Sequence, residues 1–136
     1  MSGITFKPKA VSKKLLTTLN PRTREIVVNR YGLEKENRMT LEAIGKTYDI
    51  TRERVRQIEN YSLATIRKSR VYKDTEPVFT ELKEIILGLG AIVSEKDLLG
   101  YLSKDLNTQN HFQFLLVIGE EFKREKEDEE FKRHWH

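Results

Sequence analysis

The run Thr51-Arg52-Glu53-Arg54-Val55-Arg56-Gln57-Ile58-Glu59 sets charged and amide side chains around two apolar ones. On a helix that begins after Thr51, Arg52 and Glu53 are its first two residues. Gln57 follows one turn further along the same face. Arginine can donate two hydrogen bonds to guanine O6 and N7, glutamine can pair with adenine N6 and N7, and glutamate can accept from cytosine N4. A helix led by such residues is equipped to touch base edges in a major groove. On an arbitrary helix the same alternation is a solvated, salt-bridged face. What separates the two readings is the set of elements around the run.

Other candidate chemistry is thin. His111, His134 and His136 are the only histidines, and His134-x-His136 has no evident third ligand, so no metal site is expected. The acidic run Glu125 to Glu130 lacks apolar neighbours to shift a pKa and reads as a solvated tip. Gly88-Leu89-Gly90 follows a helical pattern and is too short for a phosphate loop. There is no cysteine, hence no disulfide framework, thiolate zinc site or thiol nucleophile. No nucleophile is paired with a base. The expectation is a protein that is not an enzyme and takes no cofactor and no small-molecule substrate.

The elements that position the run are legible as stops and caps. Residues 1–10 read as a loose basic arm. A first helix carries Val11 to Leu19, with Leu15, Leu16 and Leu19 on one face. Asn20-Pro21 restarts the chain, because Asn is a strong N-cap and Pro is favoured at the first helical position. The helix Pro21 to Tyr31 has Ile26, Val27 and Tyr31 as its stripe and Gly32 as its expected C-cap. Thr40 caps Leu41 to Tyr48, and Leu41, Ile44 and Tyr48 share one face. Asp49-Ile50-Thr51 allows only a tight turn. Thr51 caps a helix from Arg52 to about Arg70 with Val55, Ile58, Ser62, Leu63 and Ile66 inward. Two helices joined by a tight turn, the second longer and polar outside, make a helix-turn-helix.

The chain has 136 residues, enough for one large domain or two small ones. Residues 1–72 hold 16 Lys and Arg against 7 Asp and Glu, whereas residues 73–136 hold 9 against 14. A basic half joined to an acidic half predicts two modules, the basic one a candidate for nucleic acid. Lys73-Asp74-Thr75-Glu76-Pro77 reads as the linker, giving domains over 1–72 and 78–136. In the second, Val78 to Leu89 carries Phe79, Leu82, Ile85 and Ile86 inward. Ser94 opens Glu95 to Ser103, and Thr108 caps Gln109 to Ile118. Glu121 to Glu125 and Glu130 to Trp135 read as strands of a hairpin. The expected fold class is mainly α: a helix-turn-helix bundle followed by a small three-helix winged-helix module. No stretch is apolar enough to span a bilayer, and the first residues carry no secretion signal. A cytoplasmic protein is expected.

The stretch Leu19 to Lys68 resembles region 4 of bacterial RNA polymerase sigma-70-type factors. The resemblance rests on Arg22-Thr23-Arg24, Arg30-Tyr31-Gly32-Leu33, Thr40-Leu41-Glu42, Ile44-Gly45 and the whole run Thr51 to Glu59. It implies that Arg52, Glu53 and Gln57 read the −35 promoter element. It implies that Arg22, Arg30, Thr51, Arg54 and Arg56, with backbone N–H groups around Leu41 and Glu42, hold phosphates. The last also has a physical reason, since a helix N-terminus is a phosphate seat. One departure is Tyr61, where primary-type factors often carry Lys.

The partners implied are double-stranded promoter DNA and RNA polymerase, gripped in the family through the flap-tip helix of its beta subunit; no membrane partner is expected. Nothing outside Leu19 to Lys68 resembles a promoter-melting region or the main polymerase-binding helix pair. The chain therefore reads as a sigma-like regulator or a fragment of a longer protein, which the ending His134-Trp135-His136 would suit. A polymerase tether that binds the flap-tip helix without reading DNA is the competing reading. Residues 78–136 resemble, in pattern only, the winged-helix domain called HARE-HTH, and its acidic balance favours a protein-binding use.

Overall fold

The structure is a computed structural model that describes residues 4–35, 37–90 and 94–119. Among these, eight helices follow one another: α1 (Pro8–Leu16), α2 (Pro21–Tyr31), α3 (Leu41–Tyr48), α4 (Arg52–Lys68), α5 (Arg70–Asp74), α6 (Glu76–Gly88), α7 (Glu95–Leu102) and α8 (Leu106–Ile118). The mainly α class holds. The expected hairpin, and with it the wing, lies outside the described residues.

The caps are where local chemistry puts them. The Asn20 side chain accepts from the Thr23 N–H, Thr40 from Ala43, Thr51 from Arg54 and Ser94 from Asp97. Each satisfies one of the orphan donors of a first turn. Gly32 closes α2 in the left-handed conformation, with φ 66°. Asp49 closes α3 the same way, with φ 57°, which a short polar side chain tolerates better than a branched one.

Four expectations need correction. The arm is not loose from residue 4 on: Phe6 sits edge-on to Phe112, with ring centroids 6.1 Å apart, and the Thr5 N–H donates to Glu81 at 2.7 Å. Accordingly α1 starts at Pro8, where a proline fits the first turn, and ends at Leu16. The supposed linker is largely helical. Ser69 caps α5 by accepting from the Tyr72 N–H, and α6 starts at Glu76 with Pro77 in its first turn, where no N–H is needed. Tyr72 and Phe79 pack ring to ring across this junction at 5.2 Å. Finally α8 begins at Leu106, capped by Asp105, and the Thr108 hydroxyl donates to that same carboxylate rather than capping a later start. These bonds hold the Asp105 carboxyl below its usual pKa.

The packing shows why the junction is ordered. One hydrophobic cluster runs from Leu15, Leu19 and Val27 through Leu63 and Ile66 to Phe79, Leu82, Leu99, Phe112 and Leu115. Both halves of the chain supply it. Helix α8 is its axis: it packs against α1, α2, α4 and α7, and Phe112, Phe114, Leu115, Leu116 and Ile118 are all buried. A helix that buries most of its residues against several neighbours is a core helix rather than a surface one. The apolar faces on either side of 73–77 thus close on each other and not on two separate cores.

Candidate nucleic-acid interface

Helices α3 and α4 form the helix-turn-helix around a second, smaller cluster. Ile26, Ile44 and Val55 are fully buried there, with Met39, Leu41, Tyr48, Ile50 and Ile58 packed about them. The turn is tight at one point. A Cβ on Gly45 would come within 2.6 Å of the Ile50 carbonyl oxygen, so only glycine lets α3 approach the turn this closely.

This frame presents the first two turns of α4 to solvent. Arg52, Glu53, Arg54, Arg56 and Gln57 are all exposed, while Val55 points into the small core. The Glu53 carboxylate takes two hydrogen bonds from the Arg56 guanidinium, at 3.1 and 2.5 Å. That pairing lowers the Glu53 pKa and raises that of Arg56. Arg54 Nη1 lies 3.4 Å from Gln57 Oε1. Exposed pairs of this kind are weak and exchange readily for other partners. The three residues expected to meet bases are therefore all accessible within the first two turns of α4.

The expected phosphate contacts divide. Arg22 is exposed and stacks over the Tyr48 ring at 5.5 Å. Tyr48 also bonds Glu25, and its hydroxyl is pushed up to about 12 by loss of solvent and by that bond. Leu41 and Glu42 open α3, ahead of the Ala43 N–H that Thr40 takes. Thr51 is engaged as the cap of α4. Arg30 differs from these. Its Nε bonds Glu59 at 3.2 Å and its Nη1 donates to the Met39 carbonyl at 3.2 Å. Glu59 also accepts from the Tyr31 hydroxyl, and burial together with that carboxylate drives the Tyr31 pKa upward. Arg30 thus ties α2 to the inner side of α4.

Sequence reasoning missed the residues that hold the approach to α3. Asn107 Nδ2 donates to the carbonyls of Gly32 and Lys35 at 3.0 and 2.9 Å, and Asn110 Nδ2 to that of Gly32 at 3.1 Å. His111 Nε2 lies 2.8 Å from the Leu33 carbonyl oxygen. Arg38 Nε donates back to Asn110 Oδ1 at 3.1 Å. At the far end Arg67 donates to the carbonyls of Val117 and Ile118, at 2.7 and 2.8 Å, capping the end of α8 from α4. The available signal was the polar first half of α8, where Asn107, Asn110 and His111 stand ahead of the apolar run Phe114 to Ile118.

Comparison with known proteins agrees with this geometry. Residues 15–68 match the family described as Sigma-70, region 4. RNA polymerase sigma factor SigA of Nostoc is 46% identical over 55 residues, which is 40% of this chain and 14% of that protein. SigA of Clostridium acetobutylicum is 42% identical over 64 residues, 45% of this chain and 17% of the relative. Sigma factor RpoS of Coxiella burnetii is 46% identical over 55 residues, 40% of this chain and 16% of the relative. The matched segment spans about a sixth or less of these relatives. No helix among the described residues is long and apolar enough to cross a membrane. From Leu15 in α1 to Lys68 at the end of α4, the chain is similar to sigma-70 region 4, a DNA-binding unit of transcription.

Proposed function

We propose that the chain is a sequence-specific transcription protein that reads −35-like promoter duplex through the first two turns of α4 and works with RNA polymerase. One observation carries the reading: Arg52, Glu53 and Gln57 all stand exposed on the first two turns of a helix that Val55 pins in a small core. Arg22, Arg54 and Arg56, with the start of α3, supply the phosphate contacts, and Arg30 positions α4 from beneath. Each good base pairing is worth about 1–3 kcal/mol of discrimination. Arg52→Ala should weaken binding to a TTGACA duplex by about ten- to a hundredfold, measured by fluorescence anisotropy, and hardly change binding to a scrambled one. Equal loss on both duplexes overturns base reading. With three cations at phosphates, log K should fall against log salt with a slope of about −2.7.

The tethering alternative calls for an apolar face that a partner helix can enter. Leu15, Leu19, Val27, Leu63 and Ile66 are buried, and α8 packs across α1, α2 and α4. That arrangement favours the DNA-reading proposal, as does the retention of three base-reading side chains that a tether does not need. Added to core polymerase without another sigma factor, the chain should produce no permanganate-reactive open complex.

A further inference from the structure

A cleft of about 430 Å³ lies where α1, α2 and α8 meet, and none of its lining residues belongs to α3 or α4. Its volume is within the range of small-molecule sites, about 300–1,000 Å³. The base is apolar: Leu16 and Leu33 are buried and Val28 is half-buried. The wall and mouth are cationic. Lys9 and Lys13 are exposed and Arg24 is half-buried, and against these three the lining holds one carboxylate, the exposed Glu34.

Those cations are poorly matched within the fold. Lys9 and Lys13 stand four residues apart on α1, a helix without an acidic residue, and a like-charge pair at that spacing weakens a helix. Lys9 has Asp105 at 3.9 Å, a long exposed contact of little worth, and Lys13 has no partner among the described residues. Arg24 is held but not neutralised. Its Nε donates to the Leu16 carbonyl at 3.1 Å and its Nη2 to the Leu19 carbonyl at 2.9 Å, while Nη1 donates to nothing among the described residues. The guanidinium therefore keeps its charge and unused N–H groups in a fixed place. Charge and shape together select an occupant. We propose that the cleft binds a small organic acid, its apolar body on Leu16, Val28 and Leu33 and its carboxylate among Lys9, Lys13 and Arg24. A bare inorganic anion would leave the apolar base wet, and a neutral apolar molecule would leave the cations unanswered. Because the walls come from α1, α2 and α8, a bound acid ties the two halves of the chain together and stabilises the fold by mass action. The site stands independently of DNA reading by α4.

The test is an amide NMR titration of the full chain with decanoate below its micellar concentration. Decanol supplies the same body without the charge, and acetate the charge without the body. Decanoate should give saturable shifts gathered around Thr17, Val28 and Leu33, and it should raise the thermal midpoint. Lys9→Gln and Lys13→Gln change exposed side chains, so their spectra should otherwise match wild type. Each should weaken decanoate by about two- to fivefold and leave decanol as it was. Equal affinity of wild type for decanoate and decanol, or undiminished decanoate binding in both variants, overturns the role of the cations. Acetate binding as tightly as decanoate overturns the role of the apolar base. Absence of saturable shifts at the cleft in wild type overturns the site itself, whether the cleft is closed or filled by another segment of this chain.

Discussion

The two hydrophobic clusters do different jobs. The small one, Ile26, Ile44 and Val55, fixes the angle between α3 and α4 with few side chains close together in sequence. The large one is threaded by α8, whose partners lie on helices up to a hundred residues away. The reading head is therefore a light attachment to a heavy frame. Distorting the head should cost binding more than stability, and damaging the frame should cost both. The frame is also where the acidic half meets the basic one, so the charge asymmetry of the sequence does not mark a structural break.

The largest expected effect attacks the frame. Phe114 is fully buried between the halves, and its ring stands 5.3 Å from Tyr31. Phe114→Ala should cost about 3–5 kcal/mol. Helicity and DNA binding should be lost together in one urea transition, and mild proteolysis at Lys73 should not release two folded pieces. Two transitions, with DNA binding surviving the first, would restore the picture of separate modules and break the comparison.

Gly45→Ala attacks the head. The new methyl meets the Ile50 carbonyl, a backbone atom that moves only if the turn opens. A cost of about 1–3 kcal/mol is expected. The reading strip should tilt as well, so affinity for the matched duplex should fall by more than the urea midpoint implies. Unchanged binding would mean that the α3–α4 angle does not set the geometry of reading.

Arg30→Ala sharpens the line between frame and interface. It removes the cationic partner of a largely buried Glu59 carboxylate, whose side chain is 13% exposed. About 1–3 kcal/mol of stability should go, and the salt slope of DNA binding should stay where it was. If instead the slope falls by about 0.9, Arg30 is a phosphate ligand, as the family resemblance implied.

The head was readable in advance because its determinants are local. Thr40, Thr51, Gly32 and the spacing of Ile44 and Val55 each act within a turn or two, and α3 matches its expected ends. The frame was less readable because its determinants are distant. Nothing near Phe6 announces Phe112, and Lys73 to Pro77 carries linker composition while Tyr72 and Phe79 pack across it. Arg30 shows the same limit within the candidate site. Its type and motif position fit a phosphate, and only the Glu59 carboxylate on another helix, with the Met39 carbonyl, decides that it is engaged within the fold.

The smallest effect tests how α8 holds the loop ahead of α3. His111 is buried, with Nε2 against the Leu33 carbonyl and Nδ1 without a partner among the described residues. In the neutral ring Nε2 donates to that carbonyl. Protonation adds a hydrogen at Nδ1 with nothing to receive it, in a site that Lys9 makes less hospitable to charge. Burial accordingly lowers the His111 pKa below its ordinary 6.5. The sign follows from linkage. Between the two pKa values the unfolded chain binds more protons than the folded one, so stability rises with pH. The contribution is full above about 6.5 and is lost as pH falls through the lowered native value. Thermal melts from pH 8 to pH 5 should show this decline, and it should be shallower in His111→Gln, whose amide can still donate to Leu33 but does not titrate. Equal declines in both proteins would place the acid sensitivity elsewhere. A steeper decline in His111→Gln would mean that the charged imidazole stabilises the α8 contact.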